Sequence, residues 1–272
     1  MLSYITWNPD GTLLDLGFYQ LRWYSVLFGL GFVLGYQLVK ARFKKFDLDI
    51  KLLDNLAVYL IVGTIIGARL AHCFFYDWAY FSQHPLEIIL PFKFSPTFEF
   101  VGFRGLASHG GGLGVVLAII LYARRYKINT LWLLDTIAFT VPLAGAFIRL
   151  GNLMNSEIIG SVTKVPWAFI FVGVSTQPRH PAQLYETLAY LLIFAFLYWL
   201  KDRRFNKPGY LLGLTFLLIF IARFLIEFVK ANQVAFESNM TLNMGQWLSF
   251  PYMLIGILII LWAQRRKTES NI

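Results

Sequence analysis

The stretch that decides the fold is Leu131-Trp-Leu-Leu-Asp-Thr-Ile-Ala-Phe-Thr-Val-Pro-Leu-Ala-Gly-Ala-Phe-Ile-Arg-Leu150-Gly-Asn-Leu-Met-Asn-Ser-Glu-Ile-Ile-Gly160. Residues 131–150 form an apolar run of the length that a helix needs to cross a bilayer, about 20 residues. Arg149, Asn152, Asn155 and Glu157 stand at its end. A charge at mid-bilayer costs roughly 2.5–3.5 kcal/mol on insertion scales, so such a residue faces a cavity and serves a function there. An arginine beside amide side chains and glycines suits a phosphate or carboxylate, because the planar guanidinium binds such anions through two parallel hydrogen bonds.

Working outward, the whole chain carries the same signature. Of its 272 residues, 57% are hydrophobic and only 14% are charged, and the mean hydropathy is +0.59. A soluble domain of this size needs more charge to cover its surface. The composition therefore reads as an all-α integral membrane protein, one polytopic domain over 1–272. The single cysteine, Cys73, lies in an apolar run and excludes an intramolecular disulfide. No basic segment precedes the first apolar run and no small-residue cleavage site follows it, so an uncleaved first helix is expected.

Seven spans are expected, at 20–40, 52–76, 109–122, 131–150, 183–200, 209–229 and 245–263. The third is short and rich in glycine. Gly63 and Gly67 in the second give a neighbouring helix close approach. Lys40, Arg42, Lys44, Lys45 and Lys51 follow span one; Arg124, Arg125 and Lys127 follow span three. Lys201, Arg203, Arg204 and Lys207 follow span five, and Arg265, Arg266 and Lys267 follow span seven. Fifteen of the 24 Lys and Arg thus fall on one side of a seven-span bundle, which the positive-inside rule makes cytoplasmic. The N-terminus is then outside and the C-terminus inside. The net charge of +9 is explained by topology, and no nucleic-acid partner is needed. Two long extracytoplasmic loops, 77–108 and 151–182, complete the expected architecture, and loops of that length usually carry function.

Four constellations are candidates for chemistry. Ser108-His-Gly-Gly-Gly-Leu-Gly114 offers either backbone N–H groups and a basic His109 to an anion, or a tightly packed helix start. Arg149 to Gly160 is either an anion site or a helix end with a snorkelling arginine. Arg179-His-Pro-Ala-Gln-Leu-Tyr-Glu186 opens span five, with Pro181 suited to a first turn. Arg223 and Glu227 in span six are four apart and share a helix face, so they are expected to pair unless Arg223 serves a ligand. Tyr24, near the outer end of span one, joins them or belongs to an aromatic belt. Arg69, with His72 three residues on, is a further intramembrane charge. Tyr24, His109, Arg149, Asn152, Glu157, Arg179, Gln183, Glu186, Arg223 and Glu227 together lie toward the outer half of the bundle. There is no metal-binding spacing, no P-loop and no Cys–His cluster, so neither a metal nor a cofactor is expected.

His-Gly-Gly-Gly-Leu-Gly (109–114), Arg149-x-Gly-Asn-x-x-Asn-x-Glu-x-x-Gly160 and Arg179-His-Pro-x-Gln-Leu-Tyr-Glu186 resemble the motifs of bacterial prolipoprotein diacylglyceryl transferases. The likeness covers essentially the whole chain. Ile148, Ser25 and Ala182 depart from the family pattern, and none of the three is a charged site residue. The resemblance implies transfer of the diacylglyceryl group of phosphatidylglycerol to the lipobox cysteine of a preprolipoprotein, with release of glycerol phosphate, in the bacterial inner membrane. It implies that Arg149 and Arg223 hold the lipid phosphate. Tyr24, Asn152, Glu157, Gly160 and Glu227 then bind substrate, and His109 is the base or its positioner. The rival expectation is a transporter of anionic solutes or lipids, which needs a polar route through the inner half as well; Arg69, His72 and Asp135 are what the sequence offers there.

Overall fold

A computed structural model describes residues 4–18, 20–94, 98–102, 105–203, 207–232, 237 and 240–266. Three short strands, β1 (Ile5–Trp7), β2 (Thr12–Asp15) and β3 (Gln20–Arg22), precede the helices α1 (Trp23–Lys45) and α2 (Ile50–Phe75). The short helices α3 (Trp78–Phe81) and α4 (Leu86–Ile89) and the strands β4 (Phe92–Lys93) and β5 (Glu99–Phe100) come next. Then follow α5 (Ser108–Tyr126), α6 (Thr130–Ala138), α7 (Val141–Met154), β6 (Phe169–Phe171), α8 (Ala182–Leu200), α9 (Tyr210–Glu227) and α10 (Met244–Arg265).

Among the described residues, six helical stretches are long and apolar enough to cross a membrane: α1, α2, α6 with α7, α8, α9 and α10. Their outward faces carry bare aliphatic and aromatic side chains, such as Phe32 and Val33 on α1, Ile61 and Val62 on α2, and Leu192 and Trp199 on α8. An exposed apolar surface of that extent belongs in acyl chains. The expected third span is the helix α5, whose first turn is Ser-His-Gly-Gly and which is not among the six. The segment expected as the first long loop holds α3, α4 and the antiparallel β4–β5 pair. The second expected loop begins inside α7, which runs on to Met154.

The span expected as continuous over 131–150 is two helices. Pro142 has no N–H to give the preceding turn and crowds the residue before it. The chain accordingly breaks at Phe139 and Thr140, where the Thr140 N–H and hydroxyl both donate to the Ile137 carbonyl.

The described residues fall into two compact units. The first draws on Met1–Ala41 and Leu134–Ser270. In it α8 packs between α7 and α9, and α9 packs on α10. Gly213 and Gly256 bring the last two helices together, since a Cβ on Gly213 would lie 2.8 Å from the Gly256 carbonyl oxygen. Asp135 caps α9, accepting from the N–H of Gly209 at 2.8 Å and of Leu212 at 2.7 Å. A carboxylate at a helix N-terminus satisfies orphan donors and the dipole together. The parallel pair β1–β6 and a hydrogen bond from Trp7 Nε1 to the Leu153 carbonyl tie the N-terminal strand to the end of α7.

The second unit, Arg42–Leu133, is built on the contact of α2 with α5. Gly63 and Gly67 face Gly110 and Gly114 so closely that a Cβ at Gly67 would overlap the Gly110 carbonyl. This is the small-residue packing of membrane helices, where close backbone approach replaces the hydrophobic drive. Arg69 is buried here, donating to the carbonyls of Glu87 and Ile88 and lying over the Phe81 ring. It holds α4 against α2.

Candidate active site

The polar centre of the first unit forms where α7, α8 and α9 end on one side. The turn after α7 carries two non-glycine residues in left-handed backbone, Ser156 and Ile158, on either side of Glu157. For a β-branched residue this is a real strain, of order 1–3 kcal/mol. It is held by hydrogen bonds: the Glu157 N–H donates to the Asn152 carbonyl at 2.9 Å. The Glu157 carboxylate accepts from Asn152 Nδ2 at 3.0 Å and Asn155 Nδ2 at 3.1 Å. Buried Gln183, from α8, donates its amide to the Glu157 carbonyl. Arg179 donates to the Gly160 carbonyl at 3.1 Å. Gly160 can only be glycine, since a Cβ there would overlap the His180 carbonyl. The Arg-x-Gly-Asn-x-x-Asn-x-Glu-x-x-Gly pattern is thus one hydrogen-bonded loop.

Arg149 sits above this loop on α7. Its Nη1 donates to Asn152 Oδ1 at 3.1 Å, and its Nε lies 2.8 Å from Glu186 Oε2. Glu186 is wholly buried, while Arg149 keeps 16% of its side chain exposed. Gly151 makes room for Tyr24, whose ring would meet any Cβ there at 2.8 Å, and Tyr24 stacks on Phe28. Beside this site His180 Nδ1 lies 3.1 Å from the Tyr185 hydroxyl, which accepts from Trp167 Nε1 at 2.7 Å. Burial pushes the His180 pKa below its usual value, so the ring is neutral near pH 7.

On α9 the expected Arg223–Glu227 pair does not form. Glu227 instead lies 3.1 Å from Lys230 Nζ, and Lys230 is also 3.1 Å from Glu186 Oε1. Gly245, in the first turn of α10, leaves the space that the Glu227 carboxylate fills. Among the described residues Arg223 has no ion pair or hydrogen bond, and its Nε is buried. The helix-spacing rule considers only α9, whereas Lys230 reaches Glu227 from the turn beyond the helix. Lys230 is the residue that sequence reasoning missed: it reads as a lone loop cation, and only its place three residues after Glu227 hints at more.

Tyr24, Arg149, Asn152, Glu157, Gly160, Arg223 and Glu227 all belong to the first unit. His109 belongs to the second, at the second residue of α5. Of the glycines after it, Gly110 and Gly114 are taken up in the contact with α2, which is the packing reading of that motif.

A multi-pass helical membrane protein with a polar, arginine-bearing centre among its helix ends is a membrane enzyme or a carrier of anions. Comparison with known proteins decides between these classes. Residues 11–262 match the family described as prolipoprotein diacylglyceryl transferase. A protein of Bacteroides fragilis is 45% identical over 98% of this chain and 98% of its own length. Proteins of Tolumonas auensis (43% identical, 97% of this chain and 99% of the relative) and Porphyromonas gingivalis (40%, 99% and 98%) are similar over the same extent. All three are named phosphatidylglycerol–prolipoprotein diacylglyceryl transferase. The chain belongs to the prolipoprotein diacylglyceryl transferase family, and it is an enzyme, a transferase.

Proposed function

We propose that this chain moves the diacylglyceryl group of phosphatidylglycerol onto the lipobox cysteine of a preprolipoprotein, and that its polar centre is the site of transfer. The observation that carries the site assignment is Arg223: a partly buried cation whose enclosed Nε makes no hydrogen bond, and which has no ion pair among the described residues, in the same unit as the partly exposed Arg149. Leaving such a cation unpaired is costly unless a ligand completes it. The anionic headgroup of phosphatidylglycerol suits both arginines.

In the reaction the substrate thiolate attacks the glyceryl carbon, a C–S bond forms, and the C–O bond to phosphate breaks. The electron pair leaves with glycerol phosphate, and the growing charge on that phosphate is what the arginines stabilise. Asn152 orients Arg149, and Glu157 holds Asn152. Tyr24 and Gly160 shape the site around them. Glu227 enters beside Arg223 as a carboxylate held by Lys230. His109 takes the base role, or positions the base, on the strength of the family motif. The nucleophilic sulfur comes from the substrate, and Cys73 is not used.

The transport reading loses support because two of the three residues named for its inner route are engaged: Asp135 caps α9, and Arg69 binds carbonyls within its own unit. The enzyme is placed in the bacterial inner membrane as one domain of seven spans, α5 being the seventh. Its N-terminus is outside and its basic loops are cytoplasmic. The deciding experiment mixes purified protein, labelled phosphatidylglycerol and a lipobox peptide. A thioether-linked diacylglyceryl peptide and free glycerol phosphate are expected; binding of lipid without product would leave a lipid-binding protein only. Single cysteines in the 201–208 loop of a Cys73→Ala background should resist an impermeant thiol reagent in intact cells, and labelling there would reject the topology.

A further inference from the structure

Lys230 has no role in the transfer chemistry, yet it is one of the most enclosed charges in the molecule, with 3% of its side chain exposed. Its ammonium stands 3.1 Å from a carboxylate on α8, Glu186, and 3.1 Å from one on α9, Glu227. Glu186 uses its other oxygen on Arg149. Charges therefore alternate along Arg149, Glu186, Lys230 and Glu227. Arg223 lies one helical turn before Glu227, within reach of an i,i+4 pair, and is left out of this chain. A buried carboxylate that stays ionised is stable only beside a cation. Without Lys230, Glu227 has Arg223 as the cation on its own helix face.

We infer that Lys230 is a positioning residue that holds Glu227 and so keeps Arg223 open for an anionic lipid headgroup. A compact ammonium fits that role, because three donors on one nitrogen bridge two carboxylates without offering a fork to phosphate. The inference rests on the proposed reading of Arg223 as a phosphate ligand.

The test is the affinity of the full-length protein in detergent for a short-chain phosphatidylglycerol, measured by calorimetry, with the thermal midpoint recorded for each variant. Lys230→Met should weaken binding by about tenfold or more, the loss of roughly one charge-assisted contact. Lys230→Arg should bind close to wild type. Adding Glu227→Gln to Lys230→Met should raise affinity at least about threefold over Lys230→Met alone, because an amide leaves Arg223 its charge. Adding Glu186→Gln instead should recover nothing. Equal recovery by Glu186→Gln, or affinity losses that merely follow the thermal midpoint, would show that Lys230 only balances buried charge and would overturn the inference. Arg223→Gln separates the two levels. If it binds lipid like wild type, the phosphate reading of Arg223 is wrong. If it weakens binding while Lys230→Met does not, only the role of Lys230 is wrong.

Discussion

Replacing Arg149 with lysine keeps the charge and removes the fork. The guanidinium directs Nε at Glu186, 2.8 Å away, and Nη1 at Asn152, 3.1 Å away, and still has further N–H groups for a phosphate. Lysine brings one nitrogen on a flexible stem. The wholly buried Glu186 competes for that nitrogen against any ligand. The loss is at least one charge-assisted hydrogen bond to the developing anion, roughly 1.5–3 kcal/mol. Taking about 2 kcal/mol, kcat/KM should fall roughly thirtyfold. The assay is transfer from labelled phosphatidylglycerol to a lipobox peptide at several lipid concentrations, with the thermal midpoint as a control for folding. A variant that turns over at nearly the normal rate, at a normal folded level, would mean that Arg149 only anchors α7 to α8.

Cys73→Ala should stay active, since Cys73 is fully buried in α2 and the nucleophile belongs to the substrate; a folded but inactive variant would require a covalent enzyme intermediate. If His109 removes the thiol proton, His109→Gln should slow transfer by roughly 10²–10⁴-fold. That defect should shrink as pH approaches the thiol pKa of about 8.5, where thiolate forms unaided. Parallel pH curves for wild type and variant would remove the base role. Gly67→Val should lower the thermal midpoint, because its Cβ would overlap the Gly110 carbonyl and overpacking costs about 1–3 kcal/mol. An unchanged midpoint would contradict the close contact of α2 with α5.

Much of the fold is legible from composition because a bilayer leaves little choice. Every spanning segment must satisfy its own backbone groups, so long apolar runs must be helices. Among the described residues six of the seven expected spans appear as helices of that character, and the remaining one, α5, is a helix whose glycines serve packing against α2. The sequence alone also marked Arg149, Asn152, Glu157 and Gly160 as one group, since they lie within a single helix end and its turn. What it left open at each position was the partner. Arg69 read as an intramembrane charge of open purpose, and its place under α4 is visible only once Glu87 and Ile88 come back to α2.

The charge on α9 draws the line most clearly. Spacing along the chain is enough to set Arg223 and Glu227 on one helix face, because about 3.6 residues make a turn wherever the helix lies. That they do not pair follows from residues outside α9. Lys230, beyond the end of α9, and Glu186, on α8, meet Glu227 and Arg149 from different elements. Pairing among buried ions is settled by which opposite charges the fold brings within about 3 Å, since Coulomb energy falls with distance and not with sequence separation.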